Sequence, residues 1–177
     1  KTKVGILGVG MIGSLVIERL KPYDLEIWVY DPFLSDERAA ELGVKKAELT
    51  EIFAQCQTVS NHIANLPSTV GMLDKNCFDR MPANATFINT GRGAQVVEED
   101  LIHALQSVPT RTAILDVTYP EPPAEDSPLR SLDNVWLTPH MAGSQSEEVK
   151  RMALYMMDEF KRYEKGEALR YSVTMKM

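Results

Sequence analysis

Arg92, Glu121 and His140 are the residues whose types could do chemistry, and each sits among small or cyclic neighbours. The three settings are Ile88-Asn89-Thr90-Gly91-Arg92-Gly93, Tyr119-Pro120-Glu121-Pro122 and Thr138-Pro139-His140. A guanidinium can grip a carboxylate through two parallel hydrogen bonds, and an imidazole can exchange a proton near neutral pH. An acidic neighbour stabilises the charged form of that imidazole. Together they are the equipment for oxidising a 2-hydroxy acid or reducing a 2-oxo acid. Singly, each has a plainer explanation: Arg92 as a solvated loop residue, Glu121 as a charge in a Pro-rich loop, His140 as a structural histidine. What joins them is placement. Each follows a strand read from the sequence, and ligands of open α/β sheets bind beyond the carboxyl ends of the strands.

A second group of residues points to a nucleotide. Gly8-Val9-Gly10-Met11-Ile12-Gly13 falls between an apolar run, Val4 to Leu7, and a stretch with Ile12, Leu15, Val16 and Leu20 at helical spacing. In that setting the glycines permit a tight turn, close backbone approach to a pyrophosphate, and close packing of helix on strand, while the helix N-terminus favours negative charge. FAD and S-adenosylmethionine sites use similar turns, so the turn alone leaves the cofactor open. Asp31, closing the second strand, could accept hydrogen bonds from the adenosine ribose hydroxyls and would repel the 2′-phosphate of NADP, which makes NAD the expected cofactor. Asp before Pro32 is also an ordinary turn opener. Asp116, near the end of a later strand, reads either as a strand-end cap or as a cofactor contact at the ligand edge.

The elements that must position these residues alternate along the chain. Strands are expected at Val4 to Leu7, Leu25 to Tyr30, Thr58 to Asn61, Thr86 to Asn89, Arg111 to Val117 and Val135 to Leu137. Helices are expected at Met11 to Leu20, Asp36 to Leu42 (capped by Gly43), Glu48 to Ala54 and Glu98 to Gln106, with a helical turn around Lys75 to Arg80. Glu121 to Pro128 is a Pro-rich acidic loop. Alternating strands and helices, with mostly apolar strands, call for an α/β fold: a Rossmann-type doubly wound parallel sheet with helices on both faces. From Ser144 to about Lys165 the pattern becomes one long helix. Its stripe of Val149, Met152, Ala153, Met156 and Phe160 could pack on the sheet, on another domain or on a second subunit.

Composition bounds the partners. At 177 residues and 44% apolar content the chain can bury a substantial core, and a formal net charge of −6 offers no basic field for nucleic acid or anionic membrane. Cys56 and Cys77 make no metal or redox spacing, so no metal is expected and a reducing cytoplasm is the default. No apolar run approaches the roughly 20 residues that span a bilayer.

In order and spacing, the motifs resemble the D-isomer-specific 2-hydroxyacid dehydrogenases, a family that includes D-lactate, D-glycerate and 3-phosphoglycerate dehydrogenases. The resemblance rests on Gly8 to Gly13 with Asp31, Ser60-Asn61-His62, Phe87 to Gly93, Leu115-Asp116-Val117 with Glu121-Pro122, and Leu137 to Gly143. It implies that Arg92 binds the substrate carboxylate and carbonyl oxygen, that His140 is the general acid/base, and that Glu121 orients His140 and raises its pKa. It also implies that Met11 and Ile12 offer amides to the pyrophosphate, Asp31 holds the ribose, Asp116 meets the nicotinamide side, and Ile63, Thr90, Gly91 and Gly143 line the cofactor. Ala64 stands where the family often has Pro, and Gly91 where it often has Ala. Formate dehydrogenases of the superfamily carry Gln in place of the acid, so Glu121 argues against formate. Family members place most of a second, substrate-binding domain ahead of the Gly-rich turn. Residues 1–145 are therefore expected to be the NAD-binding domain, and 146–177 the long helix with a remnant of the substrate domain. Alone, such a piece is expected to bind NAD(H) without turnover. The family implies a homodimer, and it also contains NAD(H)-sensing corepressors that keep a similar trio. A methyltransferase-like fold would leave Arg92, Glu121 and His140 unexplained.

Overall fold

A computed structural model describes residues 1–172. Seven strands, β1 (Thr2–Leu7), β2 (Leu25–Tyr30), β3 (Lys45–Lys46), β4 (Thr58–Asn61), β5 (Thr86–Asn89), β6 (Thr112–Leu115) and β7 (Val135–Leu137), form one parallel sheet in the order β3-β2-β1-β4-β5-β6-β7. Between them run α1 (Met11–Leu20), α2 (Asp36–Leu42), α3 (Leu49–Gln55), α4 (Lys75–Phe78) and α5 (Glu98–Ser107), and α6 (Glu147–Glu164) follows β7. The expected α/β class, a doubly wound sheet of Rossmann type, is the observed one.

Strand residues alternate between two cores because successive side chains leave a strand on opposite faces. Val4 and Ile6 of β1 and Ile27 and Val29 of β2 pack with Ile17 of α1 and Ala39 and Leu42 of α2. Leu7 and Trp28 belong to the opposite cluster, with Ile52 and Phe53 of α3, Phe78 of α4 and Leu101 and Leu105 of α5. That second core centres on Phe53, Phe78 and Phe87, whose ring centroids lie 5.3 to 5.9 Å apart. α3, α4 and α5 thus cover one face of the sheet and α1 and α2 cover the other at β1 and β2, while Trp136 of β7 is 65% exposed. The chain reverses its winding direction between β1 and β4, which opens a crevice at their carboxyl ends.

α6 begins at Glu147 rather than Ser144 and β1 at Thr2 rather than Val4, and two further strands differ from expectation. β6 is shorter than Arg111 to Val117 at both ends: it stops at Leu115, and the Arg111 amide donates to the Val108 carbonyl in a turn while its side chain, 7% exposed, donates to the carbonyls of Asp79, Met81 and Ala104. β3 was not anticipated. Its two residues, Lys45 and Lys46, are exposed and polar, and only pairing with Trp28 and Val29 makes them a strand.

The chain divides into two compact units, one spanning Lys1–His140 and the other beginning at Met141, five residues ahead of the expected boundary. In the second unit, Val149, Met152, Met156 and Phe160 of α6 are exposed. The expected remnant from Leu169 to Met177 extends outside the described residues. Among the described residues no helix is long and apolar enough to cross a membrane.

Candidate functional site

The Gly-rich turn is built by contact as well as by dihedral angle. Gly8 adopts φ +84, and a Cβ on Gly13 would lie 2.0 Å from the Gly8 carbonyl oxygen, so α1 can approach the turn this closely only with glycine there. A Cβ on Gly10 would meet no protein atom within 4 Å: this side of the turn faces away from the protein. Gly10 also brings no capping side chain to α1, so the amides of Met11 and Ile12 are what an anion would meet. The turn therefore fits a pyrophosphate.

Asp31 has structural contacts of its own. Its Oδ2 accepts from the Val9 amide at 2.7 Å and its Oδ1 from the Phe33 amide at 2.8 Å, tying the end of β2 to the Gly-rich turn. A carboxylate holding two backbone N–H groups keeps further lone pairs for a ligand. Ile63 and Thr90 stand in the loops after β4 and β5, both partly buried. Gly143 belongs to the second unit.

Of the trio, the structure brings two together. His140 Nδ1 and Glu121 Oε1 are 2.5 Å apart, with side chains 46% and 40% exposed. If Nδ1–H is the donor, Nε2 is the nitrogen presented to a substrate. His140 also takes φ +52, a left-handed backbone conformation uncommon for a non-glycine residue, with its amide donating to Thr138 O at 3.0 Å. The pair helps to line a cleft of about 450 Å³ with Asp116, Thr118, Pro122, Pro123, Arg130 and Thr138. Asp116 is buried at its wall and accepts from Thr138 Oγ1 at 2.5 Å. Arg92 follows β5, whereas Asp116 and Glu121 follow β6 and His140 follows β7, so three successive sheet strands end at these groups. The exposed Arg92 side chain donates to the Gly91 carbonyl at 2.7 Å and is not part of the cleft lining.

Sequence reasoning passed over the groups that hold this edge together. The Thr138 hydroxyl is the contact that joins the end of β7 to Asp116. Asn61, Asn89 and Gln95 are fully buried, and their amides bridge the loops that carry Ile63, Gly91 and Arg92. The available signal was an asparagine closing each of two apolar strands, Val59-Ser60-Asn61 and Phe87-Ile88-Asn89. His62 lies beside the first of these, its ring 2.9 Å from Ser60 Oγ, and burial holds its pKa below the usual histidine value.

Comparison with known proteins places the chain in a family. Residues 1–142 match the family described as "D-isomer specific 2-hydroxyacid dehydrogenase, NAD binding domain". The chain is 33% identical over 171 residues to D-3-phosphoglycerate dehydrogenase of Archaeoglobus fulgidus, covering 97% of this chain and 32% of that protein. It is 38% identical over 158 residues to a formate dehydrogenase of Neurospora crassa, covering 85% of this chain and 42% of the relative. Among solved structures, D-lactate dehydrogenase with NAD+ from Lactobacillus jensenii superposes with a TM-score of 0.84 at 26% identity, covering 98% of this chain and 56% of that one. Structures of this fold carry NADP as well as NAD. The chain thus spans between about a third and a little over half of these proteins. With a matched family over most of its length and the cofactor turn, the strand-end acid and the His–Glu pair in place, the chain belongs to the D-isomer-specific 2-hydroxyacid dehydrogenases and comprises their NAD-binding domain.

Proposed function

We propose that the protein containing this chain transfers a hydride between NAD(H) and a D-2-hydroxy acid/2-oxo acid pair. The observation that carries the reading is the His140–Glu121 contact at the ligand edge of a dinucleotide-binding sheet. When bound, the nicotinamide supplies or accepts the hydride at C2 of the substrate. Arg92 holds the substrate carboxylate and fixes C2 beside the ring. In oxidation His140 Nε2 takes the hydroxyl proton; in reduction the imidazolium returns it to the carbonyl oxygen. Glu121 accepts from Nδ1–H, sets the tautomer and orients the ring. Met11 and Ile12 amides, with Gly8, Gly10 and Gly13, receive the pyrophosphate. Asp31 receives the ribose and disfavours NADP; Asp116 meets the nicotinamide side, and Ile63, Thr90 and Gly91 line the rest.

The test is His140→Ala in the whole protein. Reduction of a panel of 2-oxo acids, followed by NADH absorbance, is expected to fall by roughly 10²- to 10⁴-fold, the usual worth of general acid/base catalysis, with NADH binding retained. Turnover near wild type would refute the role of His140. A wild-type protein that binds NADH but turns over no 2-oxo acid would favour the NAD(H)-sensing reading. Formate belongs in the same panel, because Glu121 and the Neurospora crassa likeness point in opposite directions. Taken by itself, this domain binds NAD(H) without turning over, because the water-excluding closure needs a second domain. The reading includes a cytoplasmic homodimer, which light scattering and cell fractionation test.

A further inference from the structure

Three side-chain amides at the ligand edge have no part in the mechanism above, and all three are completely buried: Asn61, Asn89 and Gln95. Asn61 and Asn89 face each other across the last register pair of β4 and β5. Asn61 Nδ2 donates to Asn89 Oδ1 at 3.0 Å and to Gln95 Oε1 at 2.7 Å, while Asn61 Oδ1 accepts from the Ile63 amide at 3.1 Å. Asn89 Oδ1 also accepts from the Gly91 amide at 3.0 Å, and Asn89 Nδ2 donates to the Arg92 carbonyl at 3.2 Å. Gln95 Oε1 accepts from the Arg92 amide at 3.3 Å, and its Nε2 donates to the carbonyls of Ile63 and Ala64 at 2.9 and 3.0 Å.

Both backbone polar groups of Arg92 are thereby held by buried side chains. An apolar residue would fill the same volume without desolvating an amide, and a buried amide is tolerated only when its hydrogen bonds are made, as they are here. The network also accounts for Gly91. A Cβ there would stand 2.9 Å from Asn61 Nδ2 and 3.0 Å from Gln95 Oε1, so the amides occupy the space an alanine would need.

We propose that Gln95, with Asn61 and Asn89, is a positioning residue for Arg92: it fixes the Arg92 backbone, and so the root of the guanidinium, in register with the loop bearing Ile63. The proposal rests on the reading that Arg92 grips the substrate carboxylate. Misplacing such a group by about 1 Å can cost on the order of 10²-fold in rate. Gln95 itself touches neither substrate nor cofactor in this scheme.

The experiment is a double-mutant cycle in the whole protein, with kcat and KM measured for a 2-oxo acid and the folded fraction counted by NADH titration. Gln95→Met, close in size, is expected to lower kcat/KM by about 10- to 100-fold, with NADH affinity within about threefold of wild type. In an Arg92→Ala background the same change is expected to cost less than about threefold, because residues acting as one unit are not additive. A role in folding alone would lower Tm in both backgrounds and leave kcat/KM per folded molecule unchanged; that result overturns the proposal, as does an equal loss in both backgrounds. If Gln95→Met does not fold, Asn61→Leu replaces it and must move kcat/KM in the same Arg92-dependent way. An Arg92→Ala enzyme with undiminished kcat/KM refutes the carboxylate reading and the positioning with it. A crippled Arg92→Ala enzyme beside an unaffected Gln95→Met enzyme refutes the positioning alone.

Discussion

Two glycines of one turn should respond to the same substitution in opposite ways. An alanine Cβ at Gly13 would lie 2.0 Å from the Gly8 carbonyl oxygen, whereas a carbon–oxygen contact normally opens near about 3.3 Å. Something must therefore move by roughly 1 Å or more. The Gly8 carbonyl has little room to yield: its own amide donates to Tyr30 O at 2.8 Å, and the backbone of His62 stands directly against Gly8. Overpacking commonly costs about 1–3 kcal/mol, and with the turn pinned on both sides Gly13→Ala is expected to cost about 2–4. At roughly 2–4 °C per kcal/mol for a chain of this size, Tm should fall by about 5–15 °C. Gly10 sits at φ −70, where any L-residue is allowed, and a Cβ there meets nothing. Gly10→Ala should thus change stability by less than about 1 kcal/mol, mostly through N-cap preference, yet weaken NADH binding by about 10- to 100-fold by filling the approach of the pyrophosphate. Thermal unfolding and calorimetric NADH titration of the two variants decide the matter. Similar Tm losses in both, or wild-type NADH affinity in Gly10→Ala, would refute the assignment of one glycine to packing and the other to the ligand.

Asp31→Ala should lower stability by about 1–3 kcal/mol, because it strands the amides of Val9 and Phe33, and should also narrow the preference for NADH over NADPH; a purely cofactor-directed loss with unchanged Tm would contradict its structural contacts. Because burial depresses the pKa of His62 in the folded state, the unfolded chain binds more protons as pH falls through about 6.5, so His62 contributes stability above that pH that is lost on acidification. His62→Gln should flatten that part of the stability–pH curve, and an unaltered curve would count against it. Burial pushes the thiols of Cys56 and Cys77 up to about 12 and about 11, so alkylation at pH 8 should proceed at the rate of unfolding rather than at that of a free thiol; rapid labelling of the native protein would contradict their burial.

Much of the fold is written locally. Val4 to Gly13 announces strand, turn and helix within ten residues, and α1 begins and ends where its apolar spacing says, because period and glycine placement are short-range properties. β3 escaped notice for the converse reason: Lys45-Lys46 has no apolar pattern and is a strand only because β2 lies beside it. Arg111 reads as a strand residue, since nothing in its neighbours says that its side chain turns inward to three carbonyls.

The site divides in the same way. Residue types and motif order alone determined the dinucleotide turn, the acid at the end of β2 and the expectation that Arg92, Glu121 and His140 share an edge, because each is a local signature set at a strand terminus. Tertiary structure alone decided that His140 and Glu121 touch and that Asp31 braces the turn it serves. It alone placed Asn61, Asn89 and Gln95 together beneath Arg92. Most of those contacts join residues far apart in the chain, and they come into being only when parallel pairing brings the strand ends into register.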